Sequence, residues 1–251
     1  PGHSEYFAKA FGFTMDSVRG REVLRKLLDE FCAEIPAEMC PEIHVGTDEI
    51  HIKDPEVFAE EIDRKVRSLG RDVVVWSPGI KPSDPRTILQ YWGEAKLPAC
   101  DSSDGHAFVD STNAYLNTME ALNAVPRIFF TQYCNAERGD ERRLGATLCV
   151  WPDVRLSSQE NRYRHNPVWP GVLAFSESVW RGRPAGWMQY RGSLPPKGSR
   201  EAEAFGEFES RLMSHRDAYF KDVPFPYVAQ RWIKWKVAGP FAADAPPDRT
   251  P

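Results

Sequence analysis

Three consecutive stretches decide the fold of this chain: Glu42-Ile-His-Val-Gly46, the run from Asp54 to Gly70, and Asp72-Val-Val-Val-Trp76. The first reads as a short strand. The second reads as a helix with Asp54 at its N-cap and Pro55 in its first turn. Phe58, Ile62 and Val66 share one face, and Gly70 follows the end. The third is a continuous apolar run, the pattern of a parallel strand covered on both faces. Strand, helix and strand in that order imply a parallel pair joined by a crossover helix.

Outward from this unit the alternation continues. Thr87-Ile-Leu-Gln-Tyr-Trp92, His106-Ala-Phe-Val-Asp110 and Ala146-Thr-Leu-Cys-Val-Trp151 are three more candidate strands. Upstream, Asp16 or Ser17 caps a helix whose apolar stripe is Val23, Leu24, Leu27, Leu28, Phe31 and Ile35, broken by Cys40-Pro41. Downstream, one helix begins near Pro170 and another runs from Ser199 to Phe220 with Phe205, Phe208 and Leu212 at helical spacing. Pro224-Phe-Pro-Tyr-Val and Trp232-Ile-Lys-Trp-Lys-Val alternate like strands.

Repeated strand–helix units build either a (β/α)8 barrel or an open doubly wound sheet. No Gly-x-Gly-x-x-Gly or Walker-type loop follows a strand, which weakens the nucleotide-binding version. Instead the strand ends carry Asp48, Glu49, Trp76, Trp92, Tyr115, Trp151 and Asp153, where barrel enzymes keep their chemistry. The expected fold is therefore a partial (β/α)8 TIM barrel, with strands four to eight present and the first three lying before Pro1. Residues 1–222 are expected to form it, and 223–251 to open an appended β segment or linker. Pro1-Gly-His-Ser and the linker-like stretch from Ala242 to Pro251 read as cut from a longer polypeptide.

Composition narrows the function. The chain has 251 residues, 27% of them charged, and a formal net charge of −4. That lacks the basic footprint of a nucleic-acid or anionic-membrane binder, and no stretch approaches the roughly 20 apolar residues of a membrane span. Its 5 cysteines are too scattered for a disulfide framework or zinc ribbon and are expected to be inert buried thiols.

The sharpest chemical signal is His44-Val-Gly-Thr-Asp-Glu49. Neighbours in a strand point to opposite faces, so Asp48 and Glu49 reach one rim only if the chain turns or bulges there. The same pair also fits solvated loop acids or a helix cap. His44, Asp48 and His51 lie close in sequence, but the β-branched residues among them favour extended backbone that would not bring three ligands to one face, so no metal site is expected. Trp76, Tyr91, Trp92, Tyr115 and Trp151 form the second signal: each fits core packing, and together they fit a platform for pyranose rings. Adjacent carboxyls cannot straddle a sugar at the separations of ordinary retaining or inverting glycosidases. One can serve as acid while the other holds a 2-acetamido group that supplies the nucleophile.

These motifs resemble glycoside hydrolase family 20, the β-N-acetylhexosaminidases. Pro1-Gly-His3-Ser looks like the turn after their third strand, and His44-Val-Gly-Thr-Asp48-Glu49 is similar to their acid-pair signature. Val75-Trp76, Gln90-Tyr-Trp92-Gly, Tyr115-Leu-Asn117 and Leu148-Cys-Val-Trp151-Pro-Asp153 resemble the ends of strands five to eight. Ala174-Phe-Ser-Glu177-Ser-Val-Trp180 is similar to their last helix. The resemblance implies an exo-acting enzyme that removes terminal β-linked N-acetylhexosamine by substrate-assisted retention, with no cofactor and no metal. Its partner would be a glycan or glycoconjugate, and family habit implies secretion or a periplasmic location.

By the same resemblance Glu49 is the general acid and then base, an acid in an aromatic, partly dry pocket. Asp48 orients the acetamido group and Tyr115 bonds its oxygen. Trp76, Trp92 and Trp151 wall the sugar, His3 supports the acid, and Asn117 and Asp153 grip hydroxyls. Thr47, Asn117 and Asp153 depart from the family's usual residues. The family's sugar-binding Arg of the first strand and acid after the second have no counterpart. Those departures suit the alternative of a non-catalytic carbohydrate-binding protein on a degenerate barrel.

Overall fold

The computed structural model describes residues 4–93, 95–98, 105–117, 121–151, 158 and 161–229. The described chain divides into two compact units. The first is Pro1–Thr112 with Asp140–Leu144, and the second is Asn113–Gly139 with Gly145–Pro251.

The first unit opens with helices α1 (Ser4–Phe11) and α2 (Val18–Glu34). Ser17 caps α2, its Oγ accepting from the Gly20 N–H at 3.1 Å. The C-terminal carbonyls of α2 are satisfied from outside the helix: the buried Arg71 guanidinium donates to the carbonyls of Ile35, Pro36 and Cys40. A cation over the orphan carbonyls of a helix end is favourable both as donor and as charge. It also ties the end of α2 to the start of the next strand pair.

Strands β1 (Glu42–His44), β2 (Asp72–Ser77), β3 (Ile88–Tyr91) and β4 (Phe108–Asp110) follow, with α3 (Pro55–Ser68) crossing between β1 and β2. Each of the first three neighbouring pairs is parallel, with Ile43 opposite Val73, Val75 opposite Leu89, and Gln90 opposite Val109. With β5 (Arg143–Ala146) the sheet runs in strict sequence order, β1-β2-β3-β4-β5. A doubly wound sheet reverses its strand order at a switch point, whereas a barrel does not. The sequential order is the partial barrel expected from the sequence.

Phe58, Ile62 and Val66 of α3 are buried, and so are Val73 and Val75 of β2, while Val74 and Trp76 on the opposite face are half-buried. Asp54 precedes α3 as expected but takes a left-handed conformation and makes no side-chain cap bond. At the carboxyl end of α3, Arg67 bridges Asp63, Asp72 and Thr87, closing the N-terminal side of the strands with a polar cluster.

Three expectations need correction. The apolar stripe of α2 is only partly covered: Leu28 is buried and Val23, Leu24 and Ile35 are half-buried, but Leu27 is 51% and Phe31 41% exposed. β1 ends the strand order, and among the described residues no further strand pairs beyond it. The strand read at Ala146–Trp151 is instead β5, three residues earlier. The later stretch makes a single parallel bridge, Cys149 with Tyr115. The Asp110 carboxylate accepts from the Thr112 N–H at 2.9 Å and so turns the chain after β4, interrupting the partner strand. Finally, Pro224–Val228 forms no strand. Its two prolines cannot donate to a ladder, and Tyr227 is instead buried with its hydroxyl donating to Glu209 at 2.7 Å. The stretch from Trp232 to Val237 lies outside the described residues.

The second unit is helical, with α4 (Ala121–Phe129), α5 (Asn161–His165), α6 (Val168–Arg181) and α7 (Arg200–Tyr219). Its core gathers Phe129, Phe130, Phe205, Phe208 and Leu212. α7 lies where the sequence predicts a helix, and Ser199 caps it, accepting from the Ala202 N–H at 3.2 Å. Of the cysteines described, Cys134 and Cys149 are buried and Cys32 and Cys40 partly so, all as free thiols. No helix among the described residues is long and apolar enough to cross a membrane.

Candidate active site

The loop leaving β1 is where the sequence placed its adjacent acids. The Val45 N–H still donates to Val74 at 2.9 Å, so the ladder continues one residue beyond the strand. The backbone then turns left-handed at Gly46 (φ +82°), Thr47 (φ +86°) and Glu49 (φ +47°). This is the bend that two neighbouring acids need in order to serve one rim. Glycine adopts such angles freely, but a β-branched residue there is strained by on the order of 1–3 kcal/mol.

Hydrogen bonds hold the strained loop in place. The Trp76 N–H donates to the Gly46 carbonyl at 2.9 Å and the Ile80 N–H to the Thr47 carbonyl at 3.0 Å. Gly79 makes that approach possible, because a Cβ there would stand 2.5 Å from the Trp76 oxygen and 2.9 Å from the Thr47 oxygen. Thr47 itself is buried, and its hydroxyl has no hydrogen-bond partner. An unpaired buried hydroxyl costs about 1–3 kcal/mol. The residue next to the acid pair thus carries two separate penalties.

An aromatic cluster adjoins this loop. The His44 ring lies 4.7 Å from Trp76, centroid to centroid, and Trp76 meets Trp92 edge-on at 6.4 Å. The Trp92 indole N–H donates to the Pro78 carbonyl at 2.8 Å, which fixes that ring. His44 Nδ1 accepts from the Gly46 N–H at 3.0 Å, so the proton of the neutral ring sits on Nε2. The ring also bonds the Gln90 side chain, whose Nε2 donates to Ser111 Oγ at 2.9 Å.

Packing beside Trp76 removes solvation from the imidazolium and lowers the His44 pKa, although part of the ring remains exposed. The negative charge of Asp48 and the Gln90 bond oppose that shift. The net direction is downward, which leaves a neutral imidazole beside the acid pair at neutral pH.

The first unit brings together His44, Trp76 and Trp92, and the Asp48 charge acts on the His44 ring. Asp48 is half-buried and Glu49 is exposed. The dry pocket that the resemblance implies for Glu49 is not formed by the described residues of this unit. Tyr115, Asn117 and Trp151 belong to the second unit. There Tyr115 is half-buried and Asn117 buried, while Trp151 is 40% exposed. The backbone around Tyr115 is held by the Leu116 N–H on the Cys149 carbonyl at 2.9 Å and the Cys149 N–H on Ala114 at 2.8 Å. His3 and Asp153 lie outside the described residues. No group of three or more His, Cys, Asp or Glu side chains among the described residues is placed to hold a metal ion.

Sequence reasoning passed over Gln90, Asp110 and Gly79. Gln90 and Asp110 are buried polar residues at the carboxyl ends of β3 and β4. The signal was present, since Gln90 interrupts the apolar run Ile88–Trp92 and Asp110 closes the run Ala107–Val109. Gly79 was readable as a turn residue after β2, but its role depends on a contact with a distant loop.

No protein-family model matches this sequence, and no curated protein matches it. Solved structures do. A β-N-acetylhexosaminidase from Bacteroides fragilis is 18% identical, with a TM-score of 0.57 over 88% of this chain and 50% of its own. A mutant Streptomyces plicatus β-hexosaminidase in complex with its product GlcNAc is 16% identical, with a TM-score of 0.56 over 89% of this chain and 45% of its own. An inactive mutant of a family 20 exo-β-N-acetylglucosaminidase from Vibrio harveyi is 15% identical, with a TM-score of 0.57 over 82% of this chain and 35% of its own. This chain spans half or less of the length of each. At such identities the likeness establishes the fold: a partial TIM barrel similar to that of family 20 hexosaminidases.

Proposed function

We propose that this chain is the acid-pair portion of a family 20-type glycoside hydrolase, an exo-acting β-N-acetylhexosaminidase. The observation that supports the reading is the left-handed loop after β1, which carries Asp48 and Glu49 and directly follows His44, whose ring packs on the Trp76–Trp92 pair and feels the Asp48 charge. A fold similar to that of the hexosaminidases above supports it.

In this reading the 2-acetamido carbonyl oxygen of the substrate attacks the anomeric carbon. The glycosidic bond breaks as Glu49 gives its proton to the leaving oxygen. Asp48 orients the acetamido N–H and balances the oxazolinium charge, and the hydroxyl of Tyr115 bonds the acetamido oxygen. Glu49 then takes a proton from water, which opens the ring with net retention. Trp76, Trp92 and Trp151 wall the sugar, Asn117 and Asp153 hold its hydroxyls, and His3 supports the acid. Neutral His44, bonded to Gln90 and Gly46, keeps the acid loop in register.

The test is Glu49→Gln in the full-length protein. Turnover of an aryl β-N-acetylglucosaminide is expected to fall about 10²–10⁴-fold, the usual share of a general acid. Undiminished turnover would remove Glu49 from the chemistry. A glucoside lacking the acetamido group is expected to react poorly, and equal rates would rule out substrate assistance. Glycan binding without any turnover in the unmodified protein would instead favour the carbohydrate-binding alternative.

A further inference from the structure

The second unit holds a cleft of about 350 Å³ lined by Tyr163, Arg164, Trp169, Val223 and Pro224, which the chemistry above does not use. That volume lies within the range of small-ligand sites. The Tyr163 and Trp169 rings stack with centroids 5.9 Å apart and planes 18° apart. Phe220 backs Trp169 at 5.5 Å and is itself packed on Phe225 at 5.4 Å. The aromatic wall is therefore fixed from behind, while Tyr163 keeps 41% of its surface exposed.

The polar side chain offered to this wall is Arg164, which is exposed and makes no ion pair among the described residues. A flat apolar wall with a guanidinium beside it fits a ligand that has one C–H face and several oxygen acceptors. A pyranose ring has that character, and aromatic side chains supply such a contact at little entropic cost.

We propose that this cleft is a second glycan-binding site, with the C–H face of one sugar unit on Tyr163 and its oxygens accepting from Arg164. The choice of an N-acetylhexosamine unit rests on the proposed function above. The site's affinity for a sugar does not.

The experiment is calorimetric titration of the whole chain with chitotetraose, a neutral β-linked tetramer of N-acetylglucosamine, in a Trp76→Ala background that disables the acid-pair pocket. Binding is expected to persist there. It should weaken about tenfold with Tyr163→Ala and severalfold with Arg164→Ala, both exposed side chains whose loss leaves the thermal melt unchanged. Absence of binding in the Trp76→Ala protein would overturn the proposal, as would affinity indifferent to Tyr163 and Arg164.

Aryl-glycoside turnover separates this test from the previous one. Tyr163→Ala is expected to leave turnover intact. Absence of turnover in the unmodified protein, with cleft binding preserved, would sink the catalytic reading alone.

Discussion

In the first unit the polar chemistry rests on a thin scaffold, while the second unit is organised around a dense aromatic centre. α2 buries Leu28 but leaves Leu27 and Phe31 at the surface, and the acid loop above β1 carries a strained Thr47. In the second unit Phe129 alone meets Phe130, Phe205 and Phe208 with centroids 4.9–5.2 Å apart. The buried Arg183 guanidinium lies over the same ring at 4.2 Å, and loss of hydration lowers its pKa to about 10. The lesson is that strain is placed where backbone hydrogen bonds over-determine the chain, and apolar packing is concentrated elsewhere.

That contrast can be broken by mutation. Phe129→Ala is expected to have the largest effect, a loss of about 3–5 kcal/mol from the second unit on denaturant unfolding. A loss below about 1 kcal/mol would show that the aromatic centre is not what stabilises it. Gly79→Ala comes next. Its new Cβ meets backbone oxygens of Trp76 and Thr47 that cannot rotate away, so about 1–3 kcal/mol of overpacking is expected in the first unit. Turnover should fall with it as the acid loop is displaced, and unchanged kinetics would uncouple that loop from the site.

Thr47→Gly should act in the opposite sense. It relieves a left-handed β-branched residue and removes a buried unpaired hydroxyl, for a net gain of about 1 kcal/mol after the entropy cost of glycine. Destabilisation by that change would mean that the strain is not real.

The smallest effect is a pH dependence. The folded pKa of His44 lies below the ordinary value of 6.5, so the unfolded chain binds more protons between those two values. Stability of the first unit is expected to rise with pH through that window and to be lost as pH falls from 6.5 through the lowered folded value. His44→Gln should flatten that slope in urea melts taken across the window. A slope that survives the change would point to another group.

Much of this was legible from the residues. Periodicity located α2, α3, α6 and α7, and the choice of Asp16 or Ser17 as cap marked the start of α2, because capping is a local matter of one side chain and the next turn. The bend at Gly46–Glu49 followed from strand geometry applied to two neighbouring acids. The position of β5 did not follow, since Ala146–Trp151 alternates like a strand and only the Asp110 turn denies it a long partner. The exposure of Leu27 and Phe31 was also hidden, because an apolar stripe records what a helix is able to bury and not what lies opposite it.

The amino-acid order alone determined the strand–helix alternation, the helix ends and the juxtaposition of Asp48 with Glu49, because those depend on side chains a few positions apart. Tertiary structure decided the strict β1-to-β5 order, the Gln90–His44–Gly46 chain and the need for glycine at position 79. These are contacts between segments distant in sequence. Their geometry is fixed only when the backbone closes around them, and no local propensity encodes it.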